Sequence, residues 1–380
     1  MPIKKDKLRS GVLGGSINSA VGSAHIAALN LSLEYDVVAG CFSLDRERNS
    51  TSAAAYSLSP EKTYRSLEDM LAKERLDVVH ILTPTTDHLD HIVACIRAGV
   101  PTISEKAVAT SAMEAKIISA ELEAHKGFLG VIYNYLGYPA LRELKYMIRN
   151  KVLGDIHKIH IEMPQETFLR VDKDGNPTKP QSWRLKDSFI PTVSLDLGVH
   201  VHILVRYLTE QRAVSLIAES NSFGNFKGVI DDVTCLVRYD GGMSCNIWYS
   251  KCALGNRNGL NLRVYGDKGA VRWVQEDPEV LHLADNHGRR SIIDRATNGV
   301  SVCNQPRYCR FKAGHPAGFI EAFANYYDDL AEAIREHKKG NSAYISEHSY
   351  GIQEALEGLK LFEAASRSSK SGRWENIGDL

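Results

Sequence analysis

The chain has no excess charge of either sign: 46 Lys and Arg side chains are matched by 46 Asp and Glu, so no overall field gathers nucleic acid or an anionic membrane. It also lacks a long apolar run. The basic opening stretch, with Lys4, Lys5, Lys7 and Arg9, is not followed by an apolar segment long enough for a signal peptide or a spanning helix, and a cytoplasmic location is expected. Cysteine is sparse and unpatterned. Cys41, Cys95, Cys235, Cys245, Cys252, Cys303 and Cys309 form an odd set without a C-x-x-C pair, which argues against a disulfide framework and a structural zinc site and for reduced, mostly buried thiols. Low-complexity tracts and internal repeats are missing too. With 43% hydrophobic and 24% charged residues over 380 positions, the chain is globular and longer than a single core usually grows, so two domains and a small-molecule partner are expected.

What is present changes character along the chain. The first third alternates short apolar runs, at Gly11 to Leu13, Val37 to Cys41, Val78 to Leu82, Thr102 to Ser104 and Phe128 to Tyr133, with stretches that repeat apolar residues every three or four positions. The latter, Ala20 to Leu31, Leu67 to Glu74, Leu89 to Arg97 and Ala112 to His125, carry the period of one-faced helices. Strand then helix, repeated, predicts parallel strands with helical crossovers, a doubly wound α/β sheet. Beyond about Asn134 a helix pattern at Ala140 to Asn150 and a strand pattern at Ile156 to Glu162 lead into a run of β signals at 214–219, 234–239, 243–249, 260–265 and 270–274. Asp240-Gly241-Gly242 and Gly266-Asp267-Lys268-Gly269 supply the positive-φ turns of hairpins. An α+β domain with a large, mostly antiparallel open sheet and helices on one face is expected, closed by helices at Phe319 to Glu336 and Ser346 to Ser366. The expected division is residues 1–133 and 134–380. Asp172 to Lys186 and Asp294 to Gly314 read as long exposed loops, either of which could cover a site.

Four places carry chemistry. Gly14-Gly15-Ser16-Ile17-Asn18-Ser19-Ala20-Val21-Gly22 lies between the first strand and first helix, where a glycine turn lets backbone approach a pyrophosphate; its spacing is longer than G-x-G-x-x-G, and an ordinary tight turn stays open as the alternative. At the end of the second strand, where a carboxylate bonds the ribose diol of NAD or small and basic residues take the 2'-phosphate of NADP, the chain reads Phe42-Ser43-Leu44-Asp45-Arg46, a mixed signal in which Asp45 caps a helix or touches cofactor. Thr83-Pro84 and Glu105-Lys106 follow the third and fourth strands, at carboxyl ends where ligands bind. Lys106 there can bond a substrate hydroxyl and favour the alkoxide that forms as hydride leaves, or it can be a surface ion pair. Asp196-Leu197-Gly198-Val199-His200 heads a helix running to about Leu208, and the four-residue spacing puts Asp196 and His200 on one face as positioner and general base, or as a helix-start carboxylate beside an unrelated histidine. His88, His91, Asp196, His200 and His202 show no metal-ligand spacing, and no metal is expected.

These pieces in this order resemble the Gfo/Idh/MocA family, named for glucose-fructose oxidoreductase, inositol dehydrogenase and a rhizopine catabolism protein. The resemblance is carried by the glycine turn ending Gly22-Ser23-Ala24-His25, Thr83-Pro84 with His88, Glu105-Lys106, Asp196-Leu197-Gly198-Val199-His200, and the stretch from Gly314-His315-Pro316 to Glu321-Ala322-Phe323, and so spans nearly the whole chain. It implies a Rossmann domain plus an open antiparallel sheet, and NAD or NADP. It also implies cofactor contacts from Gly14, Gly15, Ser16, Ile17, Ser43, Asp45, Thr83, Pro84, His88, Glu105, Lys106 and Asn134. It identifies Lys106 with the lysine of the family's E-K-P motif and Asp196 and His200 with its substrate-binding aspartate and acid/base histidine. The motif's proline is Ala107 here, so proline's fixed φ is absent from the turn. The long glycine loop, Asn134-Tyr135-Leu136-Gly137-Tyr138-Pro139 and Ser182-Trp183-Arg184 resemble one subgroup of the family.

The expected activity is hydride transfer between a secondary hydroxyl of a sugar, sugar derivative or polyol and nicotinamide. Trp183 and Arg184 are further substrate contacts, with Arg184 suited to an acidic sugar or nucleotide-linked phosphate. Two other readings use the same residues: a redox-neutral sugar-modifying enzyme that keeps its NAD(H), and a non-catalytic dinucleotide sensor, which has no need for an acid/base pair. An open sheet face predicts self-association as a dimer or tetramer.

Overall fold

The computed structural model describes residues 6–341 and 346–378; Lys4 and Lys5 lie outside them. The chain forms two compact units, and the division does not fall at one point. The first comprises the chain to Ala109, Met113–Gly137 and Phe319–Ala355, the second Thr110–Ala112, Tyr138–Gly318 and Leu356 onward. The main crossing, between Gly137 and Tyr138, lies four residues past the expected boundary.

In the first unit the order is β1 (Leu8–Gly14), α1 (Gly22–Ser32), β2 (Tyr35–Cys41), α2 (Arg46–Ala55), α3 (Leu67–Lys73), β3 (Val78–Leu82), α4 (His88–Arg97), β4 (Thr102–Ser104), α5 (Ala112–His125) and β5 (Leu129–Val131). The five strands form one parallel sheet in the order β2-β1-β3-β4-β5. Chain direction across the sheet reverses at β1 and β3, so the crevice at their carboxyl ends is the place for a ligand in a doubly wound fold. β3 reads Val-Val-His-Ile-Leu and is buried throughout, as a strand covered on both faces must be. Its one polar residue, His80, sits between the rings of Tyr35 and Tyr327 with Nε2 3.2 Å from the Ser10 hydroxyl. The helix α2 is announced in the sequence only by the capping reading of Asp45: Arg-Glu-Arg-Asn-Ser-Thr-Ser-Ala-Ala-Ala has no apolar stripe, and its start is set by Asp45, whose carboxylate accepts from Arg48 N, a side-chain N-cap.

The second unit holds α6 (Pro139–Arg149), β6 (Ile156–Pro164), a π-helical turn (Ser194–Gly198) that runs into α7 (Val199–Thr209), and β7 (Ala213–Asn221), β8 (Asp232–Tyr239), β9 (Ser244–Ser250), β10 (Asn261–Gly266), β11 (Gly269–Val274), β12 (Asp277–Asp285) and β13 (Arg290–Ile293). The chain then contributes α8 (Phe319–Lys338) to the first unit and ends with α9 (Ile352–Ser371) and β14 (Glu375–Asn376). Nine strands make one sheet, β13-β12-β11-β10-β6-β9-β8-β7-β14, antiparallel throughout except for the parallel neighbours β6 and β9. The strands β12 and β13 lay outside the expected set, being too polar in alternation to stand out.

Ile159, Ile161, Val233, Cys235, Val237, Ile247, Leu262 and Val264 are buried on one face. The opposite face presents Lys158, His160, Glu162, Leu236, Arg238, Asn246, Trp248, Arg263 and Tyr265, half-buried or exposed. The open face expected to be apolar is therefore a mixture of charge and aromatic rings, because the two-residue period of the strands alternates core with outward polar positions. The Asp172 to Lys186 stretch is a mostly exposed loop with a short 3-10 turn at Ser182–Leu185. The Asp294 to Gly314 stretch is held down more firmly: Glu143, buried on α6, accepts from the backbone N–H of Ser301, Val302 and Cys303 at 3.1, 2.6 and 3.0 Å.

Candidate active site

In the first unit β1 runs into a turn in which Gly14 and Gly15 take φ of 80° and 69°. A Cβ on Gly14 would stand 2.7 Å from the Leu82 carbonyl oxygen, and one on Gly22 2.1 Å from that of Gly15, so side chains are excluded where β1, β3 and the start of α1 come together. The Tyr56 hydroxyl donates to Gly15 O at 3.0 Å and the Ile17 N–H donates to Ser52 Oγ at 3.2 Å. Both bonds fix the loop that carries half-buried Ser16 and exposed Ile17. Naked backbone at a strand end, in front of an 11-residue helix, fits a pyrophosphate.

Around it the other first-unit residues fall into two groups. Thr83 is half-buried and Pro84 exposed at the end of β3, and the Thr83 hydroxyl lies 3.1 Å from His91 Nδ1. Asn134 is buried at 3% exposure, and its Nδ2 has no hydrogen-bond partner among the described residues. An orphaned amide of this kind fits a bound polar group. His88 and Glu105 face inward instead. His88 is fully buried, with one ring nitrogen 2.8 Å from Thr83 O and the other 2.8 Å from Ala107 O. Burial holds its pKa below the ordinary value, and a neutral imidazole donates to one of those carbonyls at a time. It ties the ends of β3 and β4 together. Glu105 Oε1 lies 2.9 Å from His25 Nε2, His25 Nδ1 lies 2.7 Å from the Tyr327 hydroxyl, and Glu105 Oε2 accepts from Lys106 N at 3.1 Å. Burial raises the Glu105 carboxyl, but the His25 bond and the nearby charges of His25 and Lys106 outweigh it and leave the pKa below the usual range. A buried carboxylate, oriented from below by a Tyr–His pair, thus holds the backbone of half-buried Lys106. The Lys106–Ala107 peptide is cis.

In the second unit the sequence pattern predicted an α-helix from Asp196. The first turn is instead π-helical, with Val199 N–H bonding back to Ser194 O, a feature frequent at functional sites. Gly198 allows it: a Cβ there would meet the Phe362 and Tyr249 rings at 2.8 and 3.0 Å. Ser194 Oγ is fixed 2.8 Å from the Tyr249 hydroxyl. Asp196 and His200 are both buried, at 7% and 6% exposure. The Asp196 carboxylate pairs with Arg184 and accepts from Lys251 Nζ at 2.7 Å. The Arg184 guanidinium lies over the Trp183 ring, 4.5 Å from its centroid. Burial pulls its pKa down to about 10, still protonated at neutral pH. Two cations on one buried carboxylate make charge-assisted bonds that fix its direction.

Lys251 was missed in the sequence, as was its neighbour Gln165, whose Oε1 is 3.4 Å from Lys251 Nζ. Each follows the last residue of its strand, and the parallel register that pairs Pro164 with Ser250 puts them side by side. No local pattern marks a buried lysine one step beyond a strand end. Among the described residues no group of three or more His, Cys, Asp or Glu side chains is placed to hold a metal ion, and the cysteines are free thiols, buried or half-buried.

Comparison with known proteins follows the same division. Residues 8–133 match the family described as "Oxidoreductase family, NAD-binding Rossmann fold", and residues 141–272 match the "GFO/IDH/MocA C-terminal domain". The chain is 26% identical over 377 residues to "Uncharacterized oxidoreductase YfiI" of Bacillus subtilis (strain 168), covering 96% of this chain and 95% of that one. It is 22% identical to "scyllo-inositol 2-dehydrogenase (NADP(+)) IolW" of the same organism, covering 97% and 96%. Among solved structures, an inositol dehydrogenase homolog from Azotobacter vinelandii complexed with NADH and myo-inositol superposes with a TM-score of 0.89 at 24% identity, covering 98% of each chain. The chain belongs to the Gfo/Idh/MocA family and is an NAD(P)-dependent dehydrogenase.

Proposed function

We propose that the protein transfers hydride between a secondary hydroxyl of a sugar, sugar derivative or polyol and a nicotinamide dinucleotide. Gly14, Gly15, Ser16 and Ile17 would hold the pyrophosphate, with Ser43, Thr83, Pro84 and Asn134 along the rest of the cofactor and His88 and Glu105 shaping the strand ends beneath it. When bound, the nicotinamide ring supplies the hydride acceptor. His200 takes the proton from the substrate hydroxyl, the Lys106 ammonium donates to the same oxygen and favours its anionic form, and Asp196 orients the remaining hydroxyls. Trp183 and Arg184 contact substrate from the exposed loop.

The observation that carries this reading is the buried Asp196 carboxylate held between Arg184 and Lys251 at the mouth of a helix that also buries His200. Relatives named for scyllo-inositol and an inositol dehydrogenase homolog bound to myo-inositol support a polyol-like substrate. The same reading includes a cytoplasmic, homo-oligomeric enzyme; no described helix is long and apolar enough to cross a membrane. The test is Lys106→Met, assayed on a panel of sugars and polyols with both dinucleotides. Turnover is expected to fall by about three orders of magnitude or more while dinucleotide affinity, read by nicotinamide fluorescence, stays within a few-fold. Turnover near that of the unaltered enzyme would remove Lys106 from the chemistry.

A further inference from the structure

The carboxyl end of β2 opens on a cavity of about 640 Å³ whose lining includes Ser43, Arg46, Ser50, Thr63 and Arg65. The two arginines come from different segments, and one buried side chain sets both. Asn49, at 6% exposure, accepts from Phe42 N at 2.7 Å through Oδ1 and donates to Tyr64 O at 2.8 Å through Nδ2. Tyr64 N–H in turn donates to Gly40 O at 2.8 Å, and Thr63 bridges to Gly40 as a short parallel extension of the strand. The first residue of α2 and the segment carrying Arg65 are thereby fastened to the same strand end. Neither arginine has a carboxylate within ion-pair distance among the described residues, although Glu47, Glu61 and Glu68 lie close in sequence.

The acid that could play the opposite part, Asp45, does not line the cavity. Its carboxylate accepts from Arg48 N at 2.7 Å as the cap of α2. Ser43 Oγ accepts from Asp45 N at 3.2 Å, which leaves the hydroxyl hydrogen available to a ligand oxygen. In this fold the end of β2 faces the adenosine ribose, where a carboxylate accepts from the diol of NAD and an arginine takes the 2'-phosphate of NADP.

Resting on the dinucleotide reading above, we infer that this cavity is a 2'-phosphate site, with Arg46 and Arg65 as its cations and Ser43 as a donor, and that the enzyme prefers NADPH to NADH. Two arginines without a carboxylate partner, lining one cavity beside the Ser43 hydroxyl, match a dianion, which a ribose diol does not supply.

Equilibrium binding to the full-length protein, followed by fluorescence for NADPH and NADH and by calorimetry for 2',5'-ADP and 5'-ADP, tests this without recourse to turnover. The 2'-phosphorylated member of each pair is expected to bind about tenfold tighter or more, and the margin should shrink as salt is raised. Arg46→Ala and Arg65→Ala should each remove most of that margin while leaving NADH affinity unchanged. Equal affinity for the two members of each pair, or variants that weaken NADH as much as NADPH, overturns the inference and leaves dinucleotide binding intact. Binding of neither dinucleotide overturns the underlying reading as well.

Discussion

His80 shows how a residue can be decisive without being part of the chemistry. It lies in the middle of β3, with Tyr35, Tyr327 and Ser10 around it, and burial together with the charge of nearby His25 brings its pKa down from 6.5 to about 3. The folded protein therefore excludes a proton that the unfolded chain accepts below about pH 6.5. The associated stabilisation is complete above that pH and is lost progressively as pH falls toward 3, at up to ~1.4 kcal/mol per pH unit for one such group. His80→Asn, which keeps a polar group without titrating, is expected to flatten the fall in melting temperature between pH 6.5 and 4.5. An unchanged slope would move the acid sensitivity to other groups, buried His88 first among them. Legibility at this scale was uneven. Lys106, Asp196 and His200 stood out by motif, but the Tyr327–His25 pair beneath Glu105 joins residues 302 positions apart, and no spacing rule reaches that far. Of the two readings of Asp45, the cap is made, to Arg48 N, and the mixed Ser43 to Arg46 signal did not announce it.

Elements were read best where their period was clean. The helix expected from Ala112 to His125 and the strands at Val78 to Leu82 and Thr102 to Ser104 have the bounds found in the structure. Where capping or a neighbour's backbone decides, pattern gave out: α2 depends on Asp45, and the π turn at Ser194–Gly198 depends on rings from β9 and α9 that only Gly198 can accommodate. The 294–314 stretch, read as an exposed loop, is also anchored by a carboxylate far away in the chain, that of Glu143. The three N–H groups gathered by Glu143 would lose a charged acceptor in Glu143→Ala, and each buried donor left unsatisfied costs about 1–3 kcal/mol. That variant is expected to cleave within residues 294–314 under limited proteolysis several-fold faster than the parent, with far-UV circular dichroism unchanged. Equal cleavage rates would place the anchoring elsewhere, for instance on Arg295, which donates to the carbonyls of Phe311 and His315.

For the whole molecule, the division into a parallel and a mostly antiparallel sheet was legible because the change in periodicity near Asn134 is abrupt. What escaped was that α8 belongs with the first unit. Its amphipathic pattern announces a helix and says nothing of which sheet it covers. The outward face of the nine-stranded sheet, with Trp248, Tyr265 and His160 among charged residues, has the mixed composition of a protein interface. Light scattering at micromolar concentration is expected to give two or four times the 42.1 kDa of one chain; a single-chain mass would refute assembly through this face. The return of α8 also bears on how the protein is made. Tyr327 supplies the hydroxyl that bonds His25 and the carbonyl that receives the Tyr35 hydroxyl at 2.8 Å, so the nucleotide-binding sheet emerges from the ribosome well before the bonds that tie it to α8 can close. Until residues 319–355 have been translated, that sheet waits with a bare flank, and chaperone occupancy on nascent chains should persist until then.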